Sequence, residues 1–418
     1  MRNALPVLFV AVMTLVLPGC ERHNEWIRFR GDGGRGHSRN LMSPPLGVRW
    51  KLSLQSDEQR GFAFNNLVIR DSRLYFGSTD GNFYAMNIDT GYMDWVFRTG
   101  APVNSVPYAD EDTVYFGSND GHVYAIDRHS GTERWRFFTG HTVQSTVISH
   151  EDQIIFGADG GGIWFLSRDG DVSNTIPNPV WHRVSLQVDA GLLMLAPGPL
   201  EQPRTLGVFD IGAQRHTWLL PEEIMQATWY SFPASTGDQM IMQTSRYAGD
   251  GLVFRTYSLD METGAIQWSR NFQGEFGVHA PPDLFRYWRH DLLNILDYQA
   301  PAIRGNTVIA AGGDNVVRGL DIRDGSVQWE TFLEHHTSSA PMVVGNHVFI
   351  GVHGDRDDSV GPDSPTTGPR LLALSARSGR PVWDIETNGV ILSPPVTAGR
   401  FMVFGTDRNY VYVLERVF

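Results

Sequence analysis

Short apolar runs broken at regular places dominate the chain. Leu74-Tyr75-Phe76-Gly77-Ser78 stops at Thr79-Asp80-Gly81-Asn82, resumes as Phe83-Tyr84-Ala85-Met86-Asn87, stops again at Asp89-Thr90-Gly91 and leads to Trp95. The same order returns as Val114-Tyr115-Phe116-Gly117-Ser118, Asn119-Asp120-Gly121-His122, Val123-Tyr124-Ala125-Ile126-Asp127, His129-Ser130-Gly131 and Trp135. Alternating runs of about five residues cut by Asp-Gly turns predict strands joined as hairpins. Two such strands, a third carrying Trp and a fourth before them predict a four-stranded antiparallel meander, one blade of a β-propeller.

The tryptophans give the number of blades. Trp50, Trp95, Trp135, Trp181, Trp218, Trp268, Trp329 and Trp383 recur at intervals of 37 to 61 residues, which predicts an all-β, eight-bladed propeller. Trp181 is the least regular member, and seven blades stay open on that account. Met402 to Thr406 and Tyr410 to Leu414 supply strands with no Trp strand after them, and Val48-Arg49-Trp50 has no strand before it. Pairing the two would close the ring and remove the open sheet edges that invite aggregation.

The repeat resembles that of the pyrroloquinoline quinone (PQQ) dehydrogenase-type propellers, whose docking pattern is Ala-x-Asp-x-x-Thr-Gly-x-x-x-Trp. Ala85 to Trp95, Ala125 to Trp135, Ser258 to Trp268, Gly319 to Trp329 and Ala373 to Trp383 follow it closely, while the unit ending at Trp218 has Gln214 where Gly belongs. The resemblance implies structural tryptophans, each filling the wedge between neighbouring blades with its N–H satisfied. It also implies one of two activities. The quinoprotein alcohol dehydrogenases add a vicinal Cys pair, a Ca²⁺ site and a catalytic Asp, and this chain has a single Cys. The better match is to the BamB-type lipoprotein scaffolds of outer-membrane β-barrel assembly, which bind a protein partner through exposed loops. The expectation is therefore a non-catalytic scaffold with no cofactor, no metal and no catalytic residues. A PQQ-dependent oxidoreductase using Ca²⁺ and a small-ligand or glycan sensor stand as alternatives. One stretch departs from the scaffold pattern: Trp26-x-x-Phe29-Arg30-Gly31 resembles the opening of less characterised PQQ-repeat proteins.

The front of the chain has a different character. Arg2 followed by the apolar run Ala4 to Leu17 reads as a signal peptide over residues 1–19, too short to span a bilayer. Leu17-Pro18-Gly19-Cys20 resembles a bacterial lipobox and implies a diacylglyceryl thioether on Cys20, where each buried CH₂ contributes about 0.8 kcal/mol to anchoring. Residues 20–46 read as the lipidated Cys and a flexible Gly-rich linker, and residues 47–418 as the propeller. Glu21 after the Cys points to the outer membrane, facing the periplasm. The net charge of -12 argues against nucleic acid, which selects an excess of Lys and Arg. Forty-four Gly and twenty-three Pro suit a turn-rich β protein.

Four insertions, Pro197 to Arg204, Arg246 to Gly251, Phe272 to Gln299 and Gly354 to Pro369, are expected on one propeller face, where recognition loops would gather. Within the third, Asp283 as a cap and apolar residues at helical spacing predict a helix, with Phe285, Tyr287, Trp288, His290 and Leu292 as candidate partner contacts. A lid folded on the propeller is the simpler alternative. His279, His290, His335, His336 and His353 share that face and read as loop histidines. Asp355-x-Asp357-Asp358 lacks the Gly and Glu of a calcium loop. Gly31 to Gly36 fits GxGxxG, but no strand precedes it and no helix follows, which excludes a dinucleotide fingerprint.

Overall fold

Each blade is covered by neighbours on both sides, so its middle strands must be apolar on both faces. Arg73–Gly77 and Asn82–Asn87 are buried at nearly every position, while the outer strand Met93–Arg98 alternates between exposed and half-buried. The computed structural model describes residues 25–417, apart from 32–33, 39, 41, 54–66, 178–184, 197–206, 226, 228, 249–250, 275–299, 313, 336, 338, 355–367, 392 and 409.

Eight antiparallel blades follow one another along the chain, seven of them within residues 68–98, 108–138, 148–176, 185–219, 229–274, 302–332 and 342–386. The eighth joins Val396–Ala398, Phe401–Gly405 and Tyr410–Arg416 to Leu46–Ser53 from the front of the chain. Val48 faces Leu414 and Trp50 faces Val413 in that closing pair. The count is therefore eight, and the ring closes as the unpaired strands at the two ends predicted.

The docking tryptophans explain how blades hold one another. A bulge lies beside the Trp in the outer-strand pairing of blades 1, 2, 4, 5, 6, 7 and 8, and bulges re-aim side chains. The indole N–H then crosses to the next blade. Trp50 donates to the carbonyl of Ile88 at 2.8 Å, Trp95 to Arg128 at 3.0 Å, Trp135 to Arg168 at 2.7 Å, Trp218 to Met261 at 2.9 Å and Trp268 to Ile322 at 2.8 Å. The glycine of each turn lies under the indole of the preceding blade. At Gly264, where φ is +73°, a Cβ would stand 2.5 Å from Cδ2 of Trp218. The Gly and Trp of one sequence motif thus serve two different seams. Trp329 covers Gly379 in the same way, but its Nε1 is buried without a hydrogen bond. Trp383 packs partly buried on the core shared by blades 7, 8 and 1.

The seam between blades 3 and 4 departs from this plan. Trp181 lies outside the described residues, and the outer-strand position of blade 3 belongs to Asn174, which pairs with Phe165 as Trp95 pairs with Ala85. Asn174 hydrogen-bonds to Gln214, the residue that replaces the docking glycine and still holds φ at +53°. Apolar packing of Ile148, Phe165, Leu186 and Phe209 closes the rest of this seam.

These differences predict unequal costs. Trp218→Ala should lose about 3 kcal/mol or more, the range for emptying a buried aromatic site. Asn174→Ala should lose about 1 kcal/mol, one neutral hydrogen bond. Urea unfolding of the two variants checks the ranking, and equal midpoints would contradict the docking account.

Candidate functional site

Strand direction alternates within a blade, so its connections sort onto two faces. Loops that enter a blade and those between second and third strands share the loop face. The turns between first and second and between third and fourth strands form the hairpin face. Residues 197–206 connect Leu192–Ala196 to Gly207–Asp210, residues 355–367 fall between His347–Val352 and Arg370–Ser375, and residues 275–299 run between Ile266–Gly274 and Ala302–Arg304. All three connect strand ends that lie on the loop face. The fourth expected insertion is different: Gln239–Ala248 and Gly251–Asp260 pair throughout, so Arg246–Ala248 and Gly251 are strand, and only 249–250 separate the two strands. Phe272 is also strand, opposite Phe254, and the third insertion starts at 275.

Phe285, Tyr287, Trp288, His290 and Leu292 lie outside the described residues, as do Cys20, His279 and His336. His353 is buried and His335 half-exposed. Among the described residues no group of three or more His, Cys, Asp or Glu side chains could hold a metal. The base of the 275–299 insertion is a rigid pad. Phe272 carries the Arg318 guanidinium 4.0 Å above its ring, and Arg318 also binds Asp314 at 2.6 Å and Glu330 at 2.9 Å. This cluster joins blade 5 to blade 6 on the loop face. Phe332 of blade 6 and, on the far side of the ring, Phe138 of blade 2 are exposed aromatics at the loop-face ends of their outer strands.

The largest departure from expectation concerns residues 25–42, read above as part of a flexible linker. They form a plug along the propeller axis. Trp26 exchanges two main-chain hydrogen bonds of 2.8 Å with Ile69 of blade 1, and Ile27 accepts one from Ala109 of blade 2. Phe29 meets Phe232 of blade 5 edge-on at 4.6 Å, Arg35 pairs with Asp189 of blade 4 at 3.3 Å, and its carbonyl accepts from Ile303 of blade 6. His37–Ser38 then adds a parallel strand to Val343 and Val344 of blade 7, and Thr397 of blade 8 donates to the Ser38 hydroxyl. Inner strands would otherwise present unpaired N–H and C=O groups to the channel. Gly31, Gly34 and Gly36, at φ between +56° and +70°, supply the tight turns of this plug; their role is close packing.

Arg30 sits at the centre, 1% exposed. Its Nη2 donates to Pro301 O at 2.7 Å, Nε to Gly34 O at 3.2 Å and Nη1 to Pro341 O at 3.4 Å. Burial pulls its pKa down to about 9, and the carbonyl dipoles supply the compensation that a buried cation requires. A Cβ at Gly36 would stand 2.3 Å from Nη2, so only glycine leaves room for the guanidinium. The Trp26-x-x-Phe29-Arg30-Gly31 stretch was the sequence signal of this plug.

On the hairpin face, a cleft of about 600 Å³ between blades 2 and 3 is lined by Asp110, Asp112, Arg134, Arg168 and Asp169 among others. Its two arginines are already committed. Arg168 binds Asp110, whose carboxylate also accepts from the Tyr115 hydroxyl at 3.1 Å, and Arg134 binds Asp127 at 2.6 Å. Arg128 binds Asp71 in the corresponding place between blades 1 and 2, so the Arg168–Asp110 and Arg128–Asp71 pairs are blade-to-blade staples, while Arg134–Asp127 lies within blade 2.

The comparisons with known proteins agree with this architecture. A family model described as outer membrane protein assembly factor BamB matches residues 47–180 and 247–356. The chain belongs to this family. BamB of Legionella pneumophila (strain Paris) is 32% identical over 53 residues, a match that spans 13% of this chain and only 14% of that protein. The solved BamB of Moraxella catarrhalis superposes with a TM-score of 0.61 at 14% identity, covering 89% of this chain and all of that one. Quinohemoprotein alcohol dehydrogenase of Comamonas testosteroni gives 0.64 at 15% identity, covering 94% of this chain and 81% of the enzyme. Identities this low speak for the propeller alone. The family match omits the plug and also omits 181–246, where the docking motif lapses.

Two tests bear on these sites. Arg30→Met should cost about 3 kcal/mol by stranding buried carbonyls, read as a lower urea midpoint and faster proteolysis. His216 and His347 are held below the ordinary His value by burial, and the Nδ1 of each has no hydrogen-bond partner. The fold therefore favours their neutral forms. That stability is complete above the unfolded value near 6.5 and is lost as pH falls through it. Melting temperature should drop between pH 7 and pH 5, and His216→Gln/His347→Gln should flatten that drop; an unchanged profile would remove these two groups as its source.

Proposed function

We propose that this protein is an envelope lipoprotein, anchored at the outer membrane through Cys20, that acts as a non-catalytic scaffold holding a protein partner of β-barrel assembly on its loop face. Family membership is the observation that supports this most. The 197–206, 275–299 and 355–367 insertions join strand ends on one face, which adds to it, since long loops on a rigid frame are where recognition sits. In this reading Phe285, Tyr287, Trp288, His290 and Leu292 form the contact patch, with the Arg318 cluster fixing the base of their insertion. Aromatic anchors of this kind dominate binding energy at protein interfaces.

The fold likeness to quinohemoprotein alcohol dehydrogenases raises a second reading, a PQQ-dependent oxidoreductase. The Cys-pair arrangement of those enzymes cannot be carried over to this chain. The vicinal Cys pair of the enzymes needs two thiols, and Cys20 is the single Cys of the sequence. The two readings separate cleanly in experiment. The lipidated chain should retain an envelope protein on affinity purification and lose it in Phe285→Ala/Trp288→Ala; retention in that variant would overturn the patch. Reconstitution with PQQ and Ca²⁺ should leave the absorbance spectrum that of the free quinone, and a bound-quinone spectrum would favour the enzyme.

A further inference from the structure

The axial plug carries an orientation. Trp26 bridges Ile69 antiparallel, so Glu25 lies beside Arg70, with a 3.8 Å contact between the Glu25 carboxylate and the Arg70 guanidinium. Arg70 ends the inner strand Val68–Arg70 and leads directly into the Asp71-Ser72 turn, which belongs to the hairpin face. The plug then rises to Arg30, whose partners Pro301 and Pro341 precede the inner strands of blades 6 and 7. It returns as His37–Ser38, parallel to the inner strand Met342–Val344, and the chain enters the outer strand of blade 8 at Leu46. Inner strands run towards the hairpin face and outer strands run away from it. The segment therefore enters and leaves the channel by the hairpin face, on the propeller axis.

From this we infer that the hairpin face is apposed to the bilayer and the loop face points away from it. The inference rests on the Cys20 anchor proposed above. Cys20 and Glu25 are separated by five Cα steps, a reach of at most about 18 Å even fully extended. A blade adds roughly 20 Å, the length of a six-residue strand, so the strand ends on the opposite face stand well clear of the lipid. A tether shorter than the blade is tall, attached at the axis, leaves little freedom to turn the molecule over. The hairpin face also suits close approach, because several of its charges are neutralised in pairs: Arg128 with Asp71, Arg400 with Asp89 at 2.9 Å and Arg323 with Asp321 at 2.7 Å. Their partner of this face is a lipid surface, which leaves the loop face for protein.

The test uses the full lipidated chain in phosphatidylethanolamine/phosphatidylglycerol vesicles that carry a headgroup-quencher lipid. Because Cys20 is acylated, a fluorophore can be placed on one introduced thiol. Asp152→Cys reports from the hairpin face, where that side chain is fully exposed, and Phe332→Cys reports from the loop face, where Phe332 is 79% exposed. Both variants should float with the vesicles, and the reporter at 152 should be quenched several-fold more than that at 332. Equal quenching, or more at 332, overturns the orientation while leaving the anchor intact. Failure to float, with Cys20→Ser behaving identically, overturns the anchor and the orientation with it. Inserting about 20 Gly/Ser residues after position 22, a coil of roughly 25 Å, should abolish the difference while flotation persists. A difference that survives the insertion overturns tether length as its cause.

Discussion

The structure depends on one contact, an indole laid over a glycine turn of the next blade. It needs three features from separate parts of the chain. A bulge in the outer strand aims the Trp, a turn glycine at positive φ leaves room for the ring, and a turn carbonyl takes its N–H. Trp218 has all three from Met261, Gly264 and the irregularity beside Val208. For Trp50, Trp95, Trp135, Trp218 and Trp268 the acceptor lies on the following blade, so these blades are not satisfied alone. A repeat array of this kind gains its stability from neighbour interfaces, and closing the ring gives every blade two of them.

The seam between blades 3 and 4 shows which parts of that contact can change together. Without the Trp, the glycine has lost its reason, and Gln214 replaces it while keeping the left-handed turn. Its side chain meets Asn174 across the seam. A polar pair and mixed apolar packing thus substitute for the docking indole, and the family match stops at 180 and resumes at 247.

Much of this was legible before any coordinates. Five near-complete motifs marked blades and turns, and unpaired strands at both ends marked the closure. What the motif could not reveal is that its Gly and Trp belong to different seams, since linear spacing carries no information about which neighbour an indole reaches. Trp181 was misleading for a related reason: the outer strand of blade 3 ends at Ile176, and the position aligned with the other tryptophans is Asn174. The plug was hidden by composition. Gly31, Gly34 and Gly36 resemble a flexible linker, and the same glycines make the tight turns around a buried arginine. Trp26, Phe29 and Arg30 were the corrective signal, because a solvated linker has no use for two large aromatics and an arginine at fixed spacing. The proposed contact residues from Phe285 to Leu292 lie beyond the described residues, and their case stays with the sequence.

The front of the chain performs two closures, and this ties the ends of the protein together. Leu46–Ser53 completes the ring against Tyr410–Arg416, and the segment before it seals the axis by bonding to inner strands up to 359 residues away in sequence. Contacts of such separation form late, since a long loop must be closed before they return any energy. Neither closure can finish until blades 6, 7 and 8 exist. The completed molecule then has two unequal faces. On the hairpin face, turns are bound to docking indoles, staples and the plug, so a substitution there disturbs a seam. The long connections start and end at strand ends on the loop face, away from the docking turns and staples. Recognition can change on that side without unsettling the ring, which is the physical reason to expect partner specificity there.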